Sequence, residues 1–405
     1  MARLRDDIEQ DPAPPDGQHG RLGTWYRGEI INNFPKQADY FEPSFLREFL
    51  LKGWMPDAPF LTRGTRITAF GSCFAANITR HLSSLGYDLS SKRDPDIHIS
   101  RIGDGLVNTA SILGQFEWAL EDKKQPENLW HGFKAEGYGY DEDIRVRTRD
   151  VFLATEFFII TLGLSEVWYD EATGGTFWRA VPVEVFDPAR HKFRVMSMEE
   201  TKADIARVHG LIRKHVPGAK ILFTISPIPL AATFREVACL SANSVSKAIL
   251  RAALDEFLRG RPDELNRSLF YFPSLEIVQQ GFIDACIFDN RHPQNYVLDT
   301  VMKTFEAVYC VDEGTMEEAS DLLQMFRAQN VEDIVKRRPA DGEHQRLVAA
   351  ARHVKNAGAA ARAQAQEREN TLNRTTGLEE GGAGVDRAAA RRERRLRRRR
   401  ERGAE

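Results

Sequence analysis

The sequence contains no long apolar run, and this absence argues against a membrane-spanning protein. No uncharged apolar stretch approaches the roughly 20 residues that a transmembrane helix needs. The opening residues, MARLRDDIEQDPAPPDGQHG, lack the apolar centre of a secretory signal peptide. We therefore expect a protein without a transmembrane segment that resides in the cytoplasm.

Cysteine is also scarce, and the motifs of common cofactor sites are missing. The chain has four cysteines, none closely paired, at Cys73, Cys239, Cys286 and Cys310. This spacing is typical of reduced cytoplasmic thiols rather than of a disulfide scaffold. The ten histidines include no HExxH motif, and there is no GxxxxGK[ST] phosphate loop. We therefore expect neither a metal ion nor another cofactor.

The net charge is small, but it is unevenly distributed. The total is −3, while residues 387–405 (RAAARRERRLRRRRERGAE) contain ten arginines and three glutamates and so carry +7. The rest of the chain therefore carries −10. A basic tail of this kind is either a solvated extension or a contact for RNA, anionic lipid head groups or an acidic partner. It has no interleaved aromatic residues to stack on bases, so we expect no specific nucleic-acid recognition and leave a nonspecific polyanion contact open.

Strand and helix patterns alternate through the middle of the chain. Buried strands are indicated by RITAF at 66–70, by the continuous apolar run FFIITLG at 157–163, and by AKILFTISPIPL and SLFYFPSLEIV further on. Amphipathic helices separate them, as in MEETKADIARVHGLIRKH, which Pro217 and Gly218 end. This order predicts right-handed crossovers and a parallel sheet covered on both faces. The predicted fold class is α/β, a three-layer α/β/α domain.

Two further segments complete the predicted plan. A Gly-Gly turn between β-rich runs at 165–197 predicts a β-hairpin inserted after the 157–163 strand. The end of the chain is rich in Ala, Gln and Arg without an apolar stripe, and we expect it to be disordered. The predicted organisation is a flexible N-terminus at 1–22, an extension packed on the main domain at 23–64, the main domain at 65–312, an accessory helix at 313–335 and a low-complexity, Arg-rich tail at 336–405.

A hydroxyl and a thiol stand side by side where the first strand becomes a helix. Gly71, Ser72 and Cys73 form this turn, and ligands of parallel sheets bind at the carboxyl ends of strands. The positive end of a helix dipole lowers a thiol's pKa, and its amides can receive an oxyanion. The turn can therefore activate a nucleophile, either Cys73 or Ser72. The competing interpretation makes Ser72 the helix N-cap and Cys73 a small buried side chain.

A base for this nucleophile is indicated by DNRHPQN near the end of the domain. In nucleophilic catalysis an imidazole moves the proton and a carboxylate orients the imidazole. Asp289 and His292 stand three residues apart in a predicted loop, and Pro293 restrains the chain after them. We therefore expect Asp289 to fold back onto His292. The alternative is a surface loop without a catalytic role.

The signature GSCFA at 71–75 resembles that of the GSCFA family, which in turn resembles the SGNH/GDSL hydrolase superfamily. The resemblance implies a flavodoxin-like parallel sheet and a catalytic set of Cys or Ser, His and Asp. Here that set is Cys73 or Ser72 with His292 and Asp289. The segments that support the resemblance are TLGLSEVW at 161–168, TISPIPL at 224–230, YFPSLEIV at 271–278 and DNRHP at 289–293.

The first sequence block of the superfamily is altered in this chain. Its Phe-Gly-Asp-Ser pattern lies over FGSC at 70–73, so Cys73 takes the place of the nucleophile and Ser72 that of the aspartate. The identity of the nucleophile stays open on this alignment. The position at the strand end favours Cys73.

The third block, Gly-x-Asn-Asp, is altered as well. It falls on residues 163–166, where the asparagine that binds the oxyanion is absent. The resemblance then implies an oxyanion site formed by the backbone amides after Gly71 with either Asn108 or the Gly163 loop. Glu166 becomes either a substrate contact or a structural ion-pair partner.

Together these residues predict an SGNH-like hydrolase or acyltransferase that works through an acyl-enzyme. The expected substrate is a small-molecule ester or thioester, with carbohydrate esters implied by analogy with the superfamily. Two other classes stay open. One is a non-catalytic binding protein that retains the fold, and the other is a protein anchored to polyanions by its Arg-rich tail.

Overall fold

The computed structural model describes residues 21–22, 25–26, 30–101, 105–124, 140–178, 180–287 and 289–335, with Ala349, Arg352, His353 and Asn356 beyond them. The predictions for residues 1–20 and for nearly all of the Arg-rich tail lie outside these described residues. The chain divides into two compact units, Met1–Tyr40 and Phe41–Glu405. In the first unit, two short strands pair antiparallel, Arg21–Leu22 with Trp25–Tyr26.

Seven strands in the second unit form a parallel sheet and a separate antiparallel pair. The sheet has the order β2-β1-β3-β6-β7, and every neighbouring pair is parallel. After β1 the chain adds β2 on one side of the sheet, and after β3 it adds β6 and β7 on the other side. The topological switch point therefore lies between β1 and β3. The strands are β1 (Arg66–Phe70), β2 (Asp88–Leu89), β3 (Phe157–Leu162), β4 (Glu166–Asp170), β5 (His191–Val195), β6 (Lys220–Ile225) and β7 (Leu269–Phe272).

Helices cover both faces of the sheet, which confirms the α/β/α prediction. The described α-helices of eight or more residues are α1 (Cys73–Ser84), α2 (Thr109–Glu121), α3 (Glu142–Ala154), α4 (Met198–His215), α5 (Cys239–Arg259), α6 (Ser274–Gly281), α7 (Asn295–Tyr309) and α8 (Met316–Val335). Two single-turn helices, Ser90–Arg93 and His98–Arg101, follow β2. Helices α2 to α5 pack against one another in one layer, and α1, α6 and α8 pack with α7 in the other.

Strand β3 shows why the chain must be covered on both sides. All six of its residues are buried. Phe158, Ile160 and Leu162 belong to the core beneath α2 to α5. Phe157 points the other way and contacts Tyr309 of α7 and Phe60. A strand that is apolar on both faces is stable only between two helical layers. The continuous apolar run FFIITL therefore predicts a strand that is covered on both sides.

Three local elements differ from the sequence-based prediction. Residues 165–197 do contain a hairpin, but β4 pairs with β5, and the Gly-Gly turn closes a single bridge between Tyr169 and Thr176. The strand expected over SLFYFPSLEIV ends at Phe272, because proline has no amide hydrogen for the ladder and α6 begins just after it. Helix α3 was not predicted.

Candidate functional site

The turn after β1 lies against β3 at the switch point of the sheet. Gly71 has φ +136°, a conformation that residues with a side chain rarely adopt. A Cβ atom at this position would stand 2.0 Å from the backbone oxygen of Thr161. Glycine therefore allows the turn to touch β3 directly, and the residues after it enter α1 beside the end of β3.

Ser72 is the N-cap of α1, and Cys73 is the first residue of that helix. The Ser72 Oγ accepts a hydrogen bond of 3.1 Å from the Phe74 amide, and the side chain is 3 % exposed. Cys73 is half-buried and therefore more accessible. Since the hydroxyl is used as a cap, the geometry favours the thiol over the hydroxyl as the nucleophile.

Two amides at the start of α1 are used inside the fold. Phe74 donates to the Ser72 hydroxyl, and Ala75 donates to the Ser72 carbonyl at 2.8 Å. The Ser72 amide makes no hydrogen bond within the described part of the chain. That amide is therefore a candidate donor for an oxyanion.

Asp289 and His292 form the pair that the sequence predicts. The Asp289 Oδ2 lies 2.5 Å from the His292 Nδ1, and the amides of Arg291 and His292 donate to Oδ1. These hydrogen bonds hold the pKa of Asp289 well below its usual range. The bond from the imidazole has the largest effect, and the two amide bonds add to it. A carboxylate can only accept, so Nδ1 carries the hydrogen and Nε2 is the nitrogen available for proton exchange.

Helices α1 and α7 place this pair at the same edge as Cys73. The two helices pack together, and His81 of α1 bonds to Glu306 of α7 at 2.5 Å. At about 1.5 Å per residue, Cys73 is about 12 Å from His81, and Asn295 is about 16 Å from Glu306. Both helices run away from the carboxyl edge, since the Tyr309 carbonyl at the end of α7 bonds to the segment that precedes β1. His292 therefore precedes α7 at the edge where Cys73 begins α1.

Asn108 and Gly163 also lie at this edge, but their polar groups are already bonded. Asn108 is the N-cap of α2, where its Oδ1 accepts from the Ser111 amide and its Nδ2 donates to the Trp178 carbonyl. The Gly163 amide donates to the Val107 carbonyl at 2.8 Å. Their roles as oxyanion donors stay predictions, and this geometry disfavours them.

Glu166 lies at the start of β4 among polar atoms that lack partners. Its Oε1 accepts from Thr233 at 3.1 Å and lies 3.8 Å from the Arg235 guanidinium, while Oε2 is buried without a hydrogen bond. The hydroxyls of Thr161 and Ser165 are also buried without partners among the described residues. Buried polar groups are normally bonded, so these open positions at the end of β3 and the start of β4 are suited to water or a polar ligand.

Lys247 of α5 is the residue at this edge that sequence reasoning missed. Its Nζ donates to the carbonyls of Gly163 and Ser226, both at 2.7 Å, at the ends of β3 and β6. The side chain is 6 % exposed, and burial lowers the pKa of the ammonium to about 7, while Cys73 acts to raise it. The sequence feature that could have revealed it is its position, because Lys247 is a single lysine on the apolar face of α5 that continues through Leu250.

A cavity of about 260 Å³ borders the first turn of α1. Ala75, Ala76, Thr79 and Arg80 of α1 line it, together with serines that include Ser90 and Ser100. Ser90 is 4 % exposed, and the buried Ser100 hydroxyl has no hydrogen-bond partner. The cavity is large enough for a small polar group next to the nucleophile turn.

Within the described residues, no group of three or more His, Cys, Asp or Glu side chains is arranged to hold a metal ion. None of the described helices has the length and apolar character needed to cross a membrane.

The fold and site define a class of α/β protein with flavodoxin-like strand order, a cysteine at the switch point and a histidine–aspartate pair at the same edge. Comparison with protein families matches residues 66–305 to the GSCFA family, which covers more than half of the chain. The chain therefore belongs to the GSCFA family, as its GSCFA signature predicts. No curated protein matches the sequence.

Proposed function

We propose that this protein is a hydrolase or acyltransferase that acts on an ester or thioester through an acyl-enzyme at Cys73. The observation that carries the proposal is the Asp289–His292 pair, placed before α7 at the edge where Cys73 begins α1. A nucleophile, an imidazole and an orienting carboxylate are the groups that acyl transfer requires.

The proposed reaction has two steps. At the start of the cycle His292 carries a proton from solvent on Nε2. The Cys73 thiolate attacks the acyl carbon, a C–S bond forms, and the bond to the leaving group breaks as Nε2 of His292 gives it this proton. In the second step, water or an acceptor hydroxyl gives a proton to His292 and attacks the thioester, which releases the thiolate. The Ser72 amide, which makes no hydrogen bond within the described residues, donates to the oxyanion.

The cavity beside α1 supports a substrate with a small polar group. Ser90, Ser91 and Ser100 line it, and serine is a residue that can bond to hydroxyl or sugar oxygens. Carbohydrate esters are therefore the first substrates to test. The four cysteines are free thiols, which supports cytoplasmic residence.

The test measures hydrolysis of chromogenic esters and thioesters by the wild-type protein and three variants. We expect Cys73→Ala to abolish turnover and His292→Ala to reduce it by about 10²–10⁴-fold. Ser72→Ala is expected to retain most of the activity, because its hydroxyl caps the helix. Turnover that survives Cys73→Ala would refute the proposal.

A binding protein without catalysis is the second candidate, and one observation favours it. The Gly163 amide and both polar groups of Asn108 are bonded within the fold, so two predicted oxyanion donors are already used. Wild-type protein that binds carbohydrate esters without cleaving them, over a broad acyl panel, would favour this candidate.

A further inference from the structure

The buried amine of Lys247 is held at the switch point with one donor to spare. An ammonium has three hydrogens to donate. Two of them reach the carbonyls of Gly163 and Ser226, and the third makes no hydrogen bond within the described structure. A lysine this deeply buried is rare unless it has a charged partner. No carboxylate pairs with it among the described residues, so an ion pair with a carboxylate does not explain why this lysine is buried.

The turn that carries Cys73 and the amine of Lys247 both reach the end of β3. Gly71 stands directly against Thr161 of β3, and Lys247 bonds to the carbonyl of Gly163, two residues further along the chain. Cys73, two residues after Gly71, is the titratable group whose charge raises the pKa of Lys247 against the effect of burial.

The charged residues of α5 and its neighbours are committed elsewhere. Lys202 of α4 pairs with Glu256 of α5 at 2.5 Å. Arg251, one turn beyond Lys247, pairs with Glu276 of α6 at 2.8 Å. Glu166, at the start of β4, has Thr233 and Arg235 as its neighbours instead.

We propose that Lys247 takes the proton of Cys73, so that the two side chains form a thiolate–ammonium dyad at the switch point. This rests on the proposed role of Cys73 as the nucleophile. The S–H bond breaks, an N–H bond forms, and the sulfur keeps the electron pair. Lys247 then stays an ammonium through the catalytic cycle, while His292 exchanges protons with the leaving group and the acceptor. The dyad supplies the thiolate, and the Asp289–His292 pair supplies the acid and base.

The test is the pH dependence of iodoacetamide alkylation at Cys73, followed by peptide mass spectrometry. The thiolate is the reacting form, so the rate reports the thiol's ionisation without any substrate. We expect Lys247→Met to slow alkylation of Cys73 near neutral pH by about tenfold or more, the effect of at least one pKa unit. Cys239 and Cys286, both half-buried, serve as internal references in the same digests.

Two matched variants separate the charge from the packing. Lys247→Arg keeps a fixed positive charge and is expected to keep the fast alkylation. Lys202→Met removes a lysine from the neighbouring helix and is expected to leave the Cys73 profile unchanged. If Lys247 only ties β3 to β6, Lys247→Met will lower the unfolding midpoint and leave the Cys73 profile as it is. That outcome would overturn the proposal.

A second measurement stays decisive even if Lys247→Met does not fold. The Lys247 amine is titrated by NMR of its ε-carbon in the wild-type protein and in Cys73→Ser. Loss of the thiolate is expected to lower the amine's pKa, because a neighbouring negative charge stabilises the ammonium. Equal titration curves would refute the dyad. A protein that is inert toward acyl substrates but shows the fast alkylation would instead refute the proposed function and leave the dyad standing.

Discussion

Gly71 shows how one residue fixes the position of the candidate nucleophile. Its φ of +136° and the 2.0 Å approach to Thr161 leave no room for a methyl group. We predict that Gly71→Ala destabilises the protein by about 2–4 kcal/mol, through backbone strain and overpacking. Urea unfolding measures this loss.

The matched control is Gly210→Ala. Gly210 lies inside α4, and a Cβ atom there would meet nothing within 4 Å. This variant is expected to stabilise the helix by about 0.5–1 kcal/mol. Equal effects at the two glycines would contradict the close approach between the Gly71 turn and β3.

Ser72 lets capping be separated from catalysis. We predict that Ser72→Ala costs about 1 kcal/mol of stability, the usual cost of a lost N-cap, and changes turnover little. Ser197→Ala removes the capping-box serine of α4 and should cost a similar amount. An activity loss for Ser72→Ala as large as that for Cys73→Ala, at equal stability, would make the hydroxyl the nucleophile.

At the scale of single residues, the sequence predicts which side chains carry the chemistry better than it predicts which hydrogen-bonding groups are left free in the fold. The short spacing of Asp289 and His292 indicates their pairing, because the contact is local. Lys247 escaped prediction because its carbonyl partners follow two distant strands, and only the sheet brings these strands together. The same limit applies to Asn108, whose capping role depends on where α2 begins.

Helices α2 and α4 meet at a carboxyl group that should make stability depend on pH. Asp204 accepts a hydrogen bond of 2.8 Å from Thr109, and burial raises the pKa of this carboxyl to about 6. The folded protein therefore binds the proton more tightly than the unfolded chain, whose carboxyl has the ordinary pKa of 3.8. The stability this group contributes at low pH is lost as the pH rises from about 4 to about 6.

We predict that Asp204→Asn stabilises the protein by about 1–3 kcal/mol above pH 7, since the amide has no charge to bury. The advantage should shrink as the pH falls and approach zero below about pH 3, where the wild-type carboxyl is protonated in both states. Urea unfolding at the two pH values measures the difference. An advantage that is the same at both would show that the carboxyl's charge is not the cause.

The sequence predicts those elements whose burial is visible in its pattern. Strand β3 is a continuous apolar run because both of its faces are covered, and α4 has a capping box and an amphipathic stripe. Helix α3 has only Thr148, Val151 and Phe152 buried, and its charged surface hides the helical period. The pairing of β4 with β5 could not be read from the Gly-Gly turn, because strand partners depend on packing outside the turn.

The chain as a whole has an acidic body and a basic end. Residues 387–405 carry +7 against −10 for the rest of the sequence. We predict that the full chain is retained on a heparin column at low salt and that a chain without residues 387–405 is not, since the tail supplies the positive charge. Replacing the ten arginines of the tail with lysine should preserve retention. Equal elution of the full and shortened chains would contradict a polyanion contact.

The central claim is that acyl groups are carried on the Cys73 sulfur, and a trapped intermediate tests it most directly. The protein is mixed with an activated acyl thioester, quenched in acid within the first turnover, digested and analysed by mass spectrometry. We predict one acyl group on the peptide that contains Cys73, bound as a thioester that hydroxylamine removes, and its accumulation in His292→Ala, where deacylation is slowed. An acyl group on Ser72, or full turnover with Cys73 unmodified, would contradict the account.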